Sequence, residues 1–174
     1  MIDKGEGMIP KIKRILYATD LGVNSSYAFY YAVSAARAFD ARIVILYVLE
    51  PPPVFDISLD VGLTESVKEK EIKQVLERIE NRLQEFCQKV ETQIGSPCLS
   101  LVSKTLTQRG HPIEEILRVA DQEECDMLVL GSHGKGLLKQ SFLGSVSHGI
   151  LQRSKKPVFI IPIPSDITGW DLKH

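Results

Sequence analysis

The period of apolar and polar positions changes several times along this chain, and each change predicts an element. Ile12 to Ala18 is a short β-rich run, closing on RILYA, and predicts a first strand ending at Thr19-Asp20. Leu21 to Ser25 holds Gly22 and Asn24, and Asn24 or Ser25 can cap a helix running to about Phe39. Ala28, Tyr31, Ala35 and Phe39 recur at helical spacing and form its expected apolar face. Ala41 to Val48, ARIVILYV, is almost continuously apolar, as suits a second strand covered on both sides of a parallel sheet. Pro51-Pro52-Pro53 then opens a segment without period, to about Leu63, read as an extended loop near the ligand-facing end of the sheet.

Thr64 to Ile94 is the longest periodic stretch. Ile72, Leu76, Ile79, Leu83, Phe86 and Val90 lay a single stripe down one helix face, and charged residues fill the rest as a solvated surface. Gly95-Ser96-Pro97 ends that helix, and Leu99 to Thr105 alternates as a third strand. Thr107 to His111 turns at Gly110. Pro112 suits the first position of a helix whose face is Ile113, Ile116, Leu117 and Ala120. Asp126 to Leu130 is a fourth strand, Ser145 to about Ser154 a fourth helix, and Pro157 to Ile161 a fifth strand at an edge. Strands alternating with helices predict an α/β fold with a mostly parallel, doubly wound sheet and right-handed crossovers.

Composition narrows the setting. The 174 residues suit one domain, with 44% hydrophobic and 25% charged residues as in ordinary globular chains. A net charge of -1 gives no general attraction to nucleic acid or anionic lipid. Cys87, Cys98 and Cys125 are widely spaced, with no C-x-x-C pair and no histidine at metal-ligand spacing, as in a reducing compartment. No apolar run is long enough to span a bilayer and the N-terminus lacks a signal-peptide core, so a cytoplasmic protein without membrane or nucleic-acid partners is expected. The expected organisation is a loose leader over 1–10, one domain over 11–162 and a tail over 163–174 containing Trp170.

The chemistry concentrates between Leu128 and Ser147, LVLGSHGKGLLKQSFLGSVS. A buried strand end passes through Gly131, Gly134 and Gly136, opens into a loop with Lys135 and Lys139, and closes at Gly144-Ser145 where a helix starts. Glycine tolerates positive φ and bare-backbone contact with a ligand, and a helix start carries unpaired N–H groups that attract anions. Ser145 suits the N-cap, Val146 and Ser147 offer N–H groups, and the Ser145 and Ser147 hydroxyls can add bonds to a phosphate. The dinucleotide fingerprint and Walker A both fail on spacing. A G-x-S-x-G esterase elbow is narrowly missed around Ser147, which would sit inside a helix. A ligand-free surface loop remains the plain alternative by chemistry alone.

The spacing Gly131, two residues, Gly134, nine residues, Gly144-Ser145 resembles the G-2x-G-9x-G-(S/T) signature of ATP-binding universal stress proteins. ILYATD (Ile15 to Asp20) and GHPIEEILRVADQEECDMLVLGSHG (Gly110 to Gly134) agree with it, and the resemblance covers about Lys11 to Ile161. It implies a Rossmann-like five-stranded sheet of order 3-2-1-4-5, an adenine-nucleotide site, a homodimer and regulatory more often than catalytic roles. The implied order brings Asp20 and Gly131 together across the crevice where the winding reverses. The resemblance places ligand contacts at Ala18, Thr19 and Asp20, at the Val48 backbone, at Leu130, Gly131, His133 and Gly134, and at Gly144, Ser145, Val146 and Ser147. Two positions depart from the family pattern: Ala18 where proline is frequent, and His133 where arginine or another polar residue is.

Asp20 can accept bonds from ribose hydroxyls or an adenine amino group, or can simply cap the following helix. Lys135, Lys139 and His133 can bring charge toward phosphates, or stay solvated. His111 and His148 belong to no defensible triad. The expected ligand is ATP, ADP or AMP, with Mg²⁺ as a companion. Three functions stay open: a regulatory homodimer joined through strand five, a slow Mg²⁺-dependent ATPase, and a dimeric interaction module without ligand. The residues offer no second acidic metal ligand near the loop, so turnover, if any, is expected to be weak.

Overall fold

The computed structural model describes residues 9–22, 25–50, 65–95, 97–133 and 143–164. The leader up to Met8, Asn24 as a cap, the 51–63 loop, the segment with Gly134, Lys135, Gly136 and Lys139, and the tail with Trp170 lie outside the described residues. So do the side chains of Ile72 and Leu76.

Five strands form one parallel sheet: β1 (Arg14–Thr19), β2 (Arg42–Leu49), β3 (Val102–Arg109), β4 (Met127–Gly131) and β5 (Val158–Ile161). Their order is β3-β2-β1-β4-β5, as the resemblance implied. The helices are α1 (Ser25–Phe39), α2 (Glu65–Ile94), α3 (Pro112–Gln122) and α4 (Ser145–Arg153). A right-handed crossover puts its helix on the side set by the direction of travel. The chain first winds from β1 toward β3, which puts α1 and α2 over one face. It then returns through β4 to β5, which puts α3 and α4 over the other. Two cores result. Tyr17, Phe29, Ile45, Leu83 and Val129 belong to the α1/α2 side, and Leu16, Leu46, Ile116, Leu128 and Ile150 to the α3/α4 side.

At the centre of the first core, the Tyr17 ring lies 5.1 Å from Phe29 and 6.5 Å from Phe86, so β1 is clamped to both helices. Its hydroxyl donates to the Ser25 carbonyl at 2.6 Å. Burial holds the phenol well above its ordinary pKa, so it remains a donor at neutral pH. On the opposite face α4 packs close to α3, since a Cβ on Gly149 would stand 2.3 Å from Ile113 Cδ1.

Three local expectations change. The face of α1 that meets the sheet is Ala28, Phe29, Ala32, Val33, Ala35 and Ala36, whereas Tyr31 and Phe39 are exposed. Both sets fit a 3.6 period, and the smaller side chains let the helix approach the sheet while Tyr31 packs edge-on against Phe159 of β5. The third strand begins at Val102, because Cys98 and Leu99 donate their N–H groups to Glu91 Oε1 and Leu99–Leu101 closes a single 3₁₀ turn. It continues to Arg109, where β2 still offers a partner in Leu49. The fourth strand begins at Met127 because Asp126 serves another purpose, its carboxylate accepting the N–H groups of Lys13 at 2.7 Å and Arg14 at 2.9 Å.

Candidate functional site

The sheet opens at the point where the winding reverses. The ladder between β1 and β4 ends at Tyr17↔Val129, while β1 stays paired with β2 up to Thr19↔Tyr47 and β4 with β5 up to Gly131↔Ile161. The last residues of β1 and β4 therefore part from each other while held on their outer sides, and the crevice between them is flanked by the segments after Thr19 and after Gly131. Ligands in open α/β sheets bind in such a crevice.

On the β1 side the chain turns sharply. Thr19 Oγ1 accepts the Leu21 N–H at 3.1 Å and Asp20 Oδ1 accepts the Gly22 N–H at 2.8 Å. Leu21 sits at φ 54°, a left-handed conformation that costs a non-glycine residue about 1 kcal/mol. Ser25 returns its N–H and its hydroxyl to the Gly22 carbonyl at 3.1 and 2.8 Å, so the strained turn is held from both ends. Asp20 thus folds its own turn and leaves the start of α1 to Ser25. Its second oxygen, Oδ2, is buried without a hydrogen-bond partner among the described residues. A buried carboxylate oxygen without a donor is costly.

On the β4 side the hub is Ser132, buried at 5% exposure. Its N–H donates to Ile161 O at 2.7 Å, and its C=O accepts the Gly144 N–H at 2.7 Å. These bonds bring the start of α4 back to the end of β4. Gly144 is the N-cap of α4, with φ -68° and ψ 158°, which corrects the assignment of that position to Ser145. Ser145 moves to N1, and the N–H groups of Ser145, Val146 and Ser147 become the first-turn donors; the His148 N–H already bonds Gly144 O at 2.9 Å. The Ser147 hydroxyl is buried and donates to Gly131 O at 2.7 Å, so it braces helix against strand. Ser145 is exposed.

Gly144 acts through space rather than through unusual φ. Among the described glycines only Gly95 and Gly110 have positive φ values, so Gly131 and Gly144 do not need glycine's conformational freedom. A Cβ on Gly144 would lie 3.2 Å from His133 Cα and 3.4 Å from Ser132 O, both backbone atoms. On Gly131 it would meet nothing closer than 3.5 Å. The His133 ring, half-buried, places Nδ1 3.0 Å from Ser132 Oγ.

The remaining expected residues line the same end of the sheet. Ala18, Val48 and Val146 are half-buried against the α3/α4-side core, and Leu130 lies within it. The Arg42 N–H points to β1, bonding Lys13 O, and the Leu49 C=O points to β3, accepting the Gly110 N–H. Alternation along a parallel strand then turns the Val48 carbonyl toward the β1 side, beyond the last β1 pair. Val48 can therefore offer a backbone acceptor at the crevice, whatever its side chain. Gly134 lies outside the described residues.

Three participants escaped sequence reading: Gly22, Leu21 and Ser132. The D-x-G spacing at Asp20 signals an Asx turn. Ser132, a polar residue directly after a buried strand, signals a side chain with a bonding task. A shallow concavity of about 270 Å³ lies elsewhere, between α2 and β3, lined by Gln84, Cys87, Gln88, Leu99, Val102 and Thr105. It has no charged side chain to orient a ligand.

Comparison with known proteins points the same way. The universal stress protein family matches over residues 11–162. Universal stress protein MJ0577 of Methanocaldococcus jannaschii is 30% identical over 158 residues, which cover 86% of this chain and 94% of the relative. The solved structure of MJ0577 superposes with a TM-score of 0.66 at 25% identity, covering 89% of this chain and 99% of that one. Universal stress protein UspA from Lactobacillus plantarum superposes with a TM-score of 0.69 at 21% identity, covering 88% and 99%, a likeness of fold.

Proposed function

The chain belongs to the universal stress protein family, and on that premise we propose that it binds an adenine nucleotide, ATP or its ADP or AMP relatives, as a regulatory protein of the stress response. The observation that carries this reading is the pairing, at one crevice, of an acceptor without a donor and donors without acceptors. Asp20 Oδ2 is buried and unpartnered on the β1 side, and the first-turn N–H groups of α4 lie on the β4 side. A ribose hydroxyl or an exocyclic amino group supplies the donor that Asp20 lacks. A phosphate supplies the anion that the α4 N-terminus attracts.

The described residues fit such a ligand. Ala18, Val48 and Val146 provide apolar surface for a base, and the Val48 carbonyl an edge acceptor. Thr19, Leu130 and Gly131 contribute the strand ends, and Gly144 keeps the helix start clear of a side chain. Ser145, Val146 and Ser147 donate N–H groups to phosphate. We assign His133 and Gly134 to the same phosphate side. When Mg²⁺ accompanies the nucleotide it adds charge neutralisation at the phosphates. A regulatory role is preferred to that of a slow ATPase, which would also need a group to orient the attacking water.

The functional unit is the domain over 11–162, and the assembly is a homodimer joined through β5. That strand ends the sheet and presents an edge, and Phe159 on it is 40% exposed. Three free, buried thiols suit the cytoplasm, and no described helix is long and apolar enough to cross a membrane.

The test is to purify the protein without added nucleotide, denature it, and identify the released small molecule by chromatography and mass. Near-stoichiometric ATP or ADP is the expected result. An empty protein that also ignores ATP with Mg²⁺ in calorimetry overturns the reading in favour of a ligand-free interaction module.

A further inference from the structure

The Ser132 side chain makes two contacts that the closure of the α4 N-terminus does not require. Its Oγ accepts the Ile163 N–H at 3.0 Å and lies 3.0 Å from His133 Nδ1. Ile163 follows the edge strand β5, 31 positions away, and is itself buried. A hydroxyl has one proton and two lone pairs. The Ile163 N–H can only donate, so it takes one lone pair, and the serine proton or the second lone pair meets His133 Nδ1 according to the imidazole tautomer. One buried side chain thus holds the first residue of the glycine loop on one side and the exit of β5 on the other. Its backbone holds Gly144 and Ile161 at the same time.

We propose that Ser132 is a positioning residue that joins the phosphate side of the crevice to the exit of the edge strand, so that nucleotide occupancy is felt at Ile163. This rests on the nucleotide reading above. Ligand at the α4 N-terminus binds the arrangement in which Ser132 holds Gly144 and His133 in place. By linkage it lowers the population of openings in which the Ser132–Ile163 bond is broken. The segment that leaves β5, where a partner chain would bind, is thereby tied to the ligand state.

The test is amide hydrogen exchange at Ile163, followed by NMR on the full chain with and without saturating ATP and Mg²⁺, with binding checked by calorimetry. In the wild type, ATP is expected to slow Ile163 exchange about tenfold or more. Ser132→Ala should exchange rapidly at Ile163 with or without ATP and bind ATP about tenfold more weakly. Ser132→Thr, which keeps the hydroxyl, should recover both properties in part. A serine that only stabilised the fold would shift thermal stability, and ATP would slow the wild-type Ile163 amide no more than core amides that exchange by global unfolding. Confirmed ATP binding with Ile163 slowed no more than those amides therefore overturns the proposal and spares the nucleotide reading. Absence of ATP binding to the wild type overturns both. The wild-type measurement decides even if Ser132→Ala fails to fold.

Discussion

Gly22 donates its N–H to Asp20 Oδ1 at 2.8 Å, and a Cβ on Gly22 would stand 2.9 Å from that same oxygen and 3.1 Å from Oδ2. The glycine is there to make room for a carboxylate. Gly22→Ala would push the carboxylate, the mobile end of a side chain, out of its place while the backbone persists. The expected outcome is a nucleotide affinity about tenfold lower with a thermal midpoint within a few degrees of wild type, measured by calorimetry and circular dichroism. Unchanged affinity would show that the ligand does not contact Asp20.

Asp20→Asn separates the two oxygens. The amide can keep its oxygen on the Gly22 N–H and turn its NH₂ to the place of Oδ2, which exchanges an acceptor for a donor. If a ligand hydroxyl or amino group donates to Oδ2, affinity should fall about 10- to 100-fold, the range for a lost hydrogen bond to a charged group. The free protein should be as stable as wild type or more so, since the buried acceptor without a donor is gone. Thermal melts with and without ATP would separate the two effects.

Gly131 and Gly144 should respond differently to alanine. At Gly131 the added Cβ meets its neighbours at 3.5 Å, an ordinary contact, so Gly131→Ala should bind nucleotide within a few-fold of wild type. At Gly144 the contacts are 3.2 and 3.4 Å to backbone, so the turn between Ser132 and α4 must give. Gly144→Val, which adds bulk at the proposed phosphate position, should abolish binding measurable by calorimetry while the circular dichroism spectrum survives. Equal effects at the two positions would contradict the close-approach explanation.

Alkaline pH should destabilise the protein through its thiols. Burial pushes Cys87 and Cys125 up to about 11 from an ordinary value near 9. Between those values the unfolded chain has released protons that the folded one retains, so folding stability is complete below about pH 9 and falls as pH rises toward 11. Denaturant midpoints measured from pH 8 to 10.5 should drop more steeply for the wild type than for Cys87→Ala/Cys125→Ala. A parallel decline would mean that other groups govern the alkaline limb.

Much of the fold was legible from local pattern. The continuous apolar run at Ile43 to Leu46 announced a strand buried on both faces, and all four of these residues are buried. Pro112 announced the start of α3. Periodicity failed where two faces of one helix were equally regular, as with Tyr31 against Ala32 in α1. It failed again where a side chain reached back from a distant element, as Glu91 does to bend the approach to β3.

The sequence by itself determined the class of fold, through the alternation of apolar strands with amphipathic helices. It also supplied the glycine spacing that resembles the family and the placing of a carboxylate at a strand end. These are properties of neighbouring residues, since they depend on period, turn chemistry and spacing. Only the tertiary structure decided that β1 and β4 part after Tyr17 and Val129, that Asp20 Oδ2 is left without a donor, and that Gly144 caps α4. It alone placed Ser132 between the loop and Ile163. A hydrogen bond between residues 31 positions apart leaves no period in a chain, and a buried oxygen is unpaired only with respect to everything folded around it.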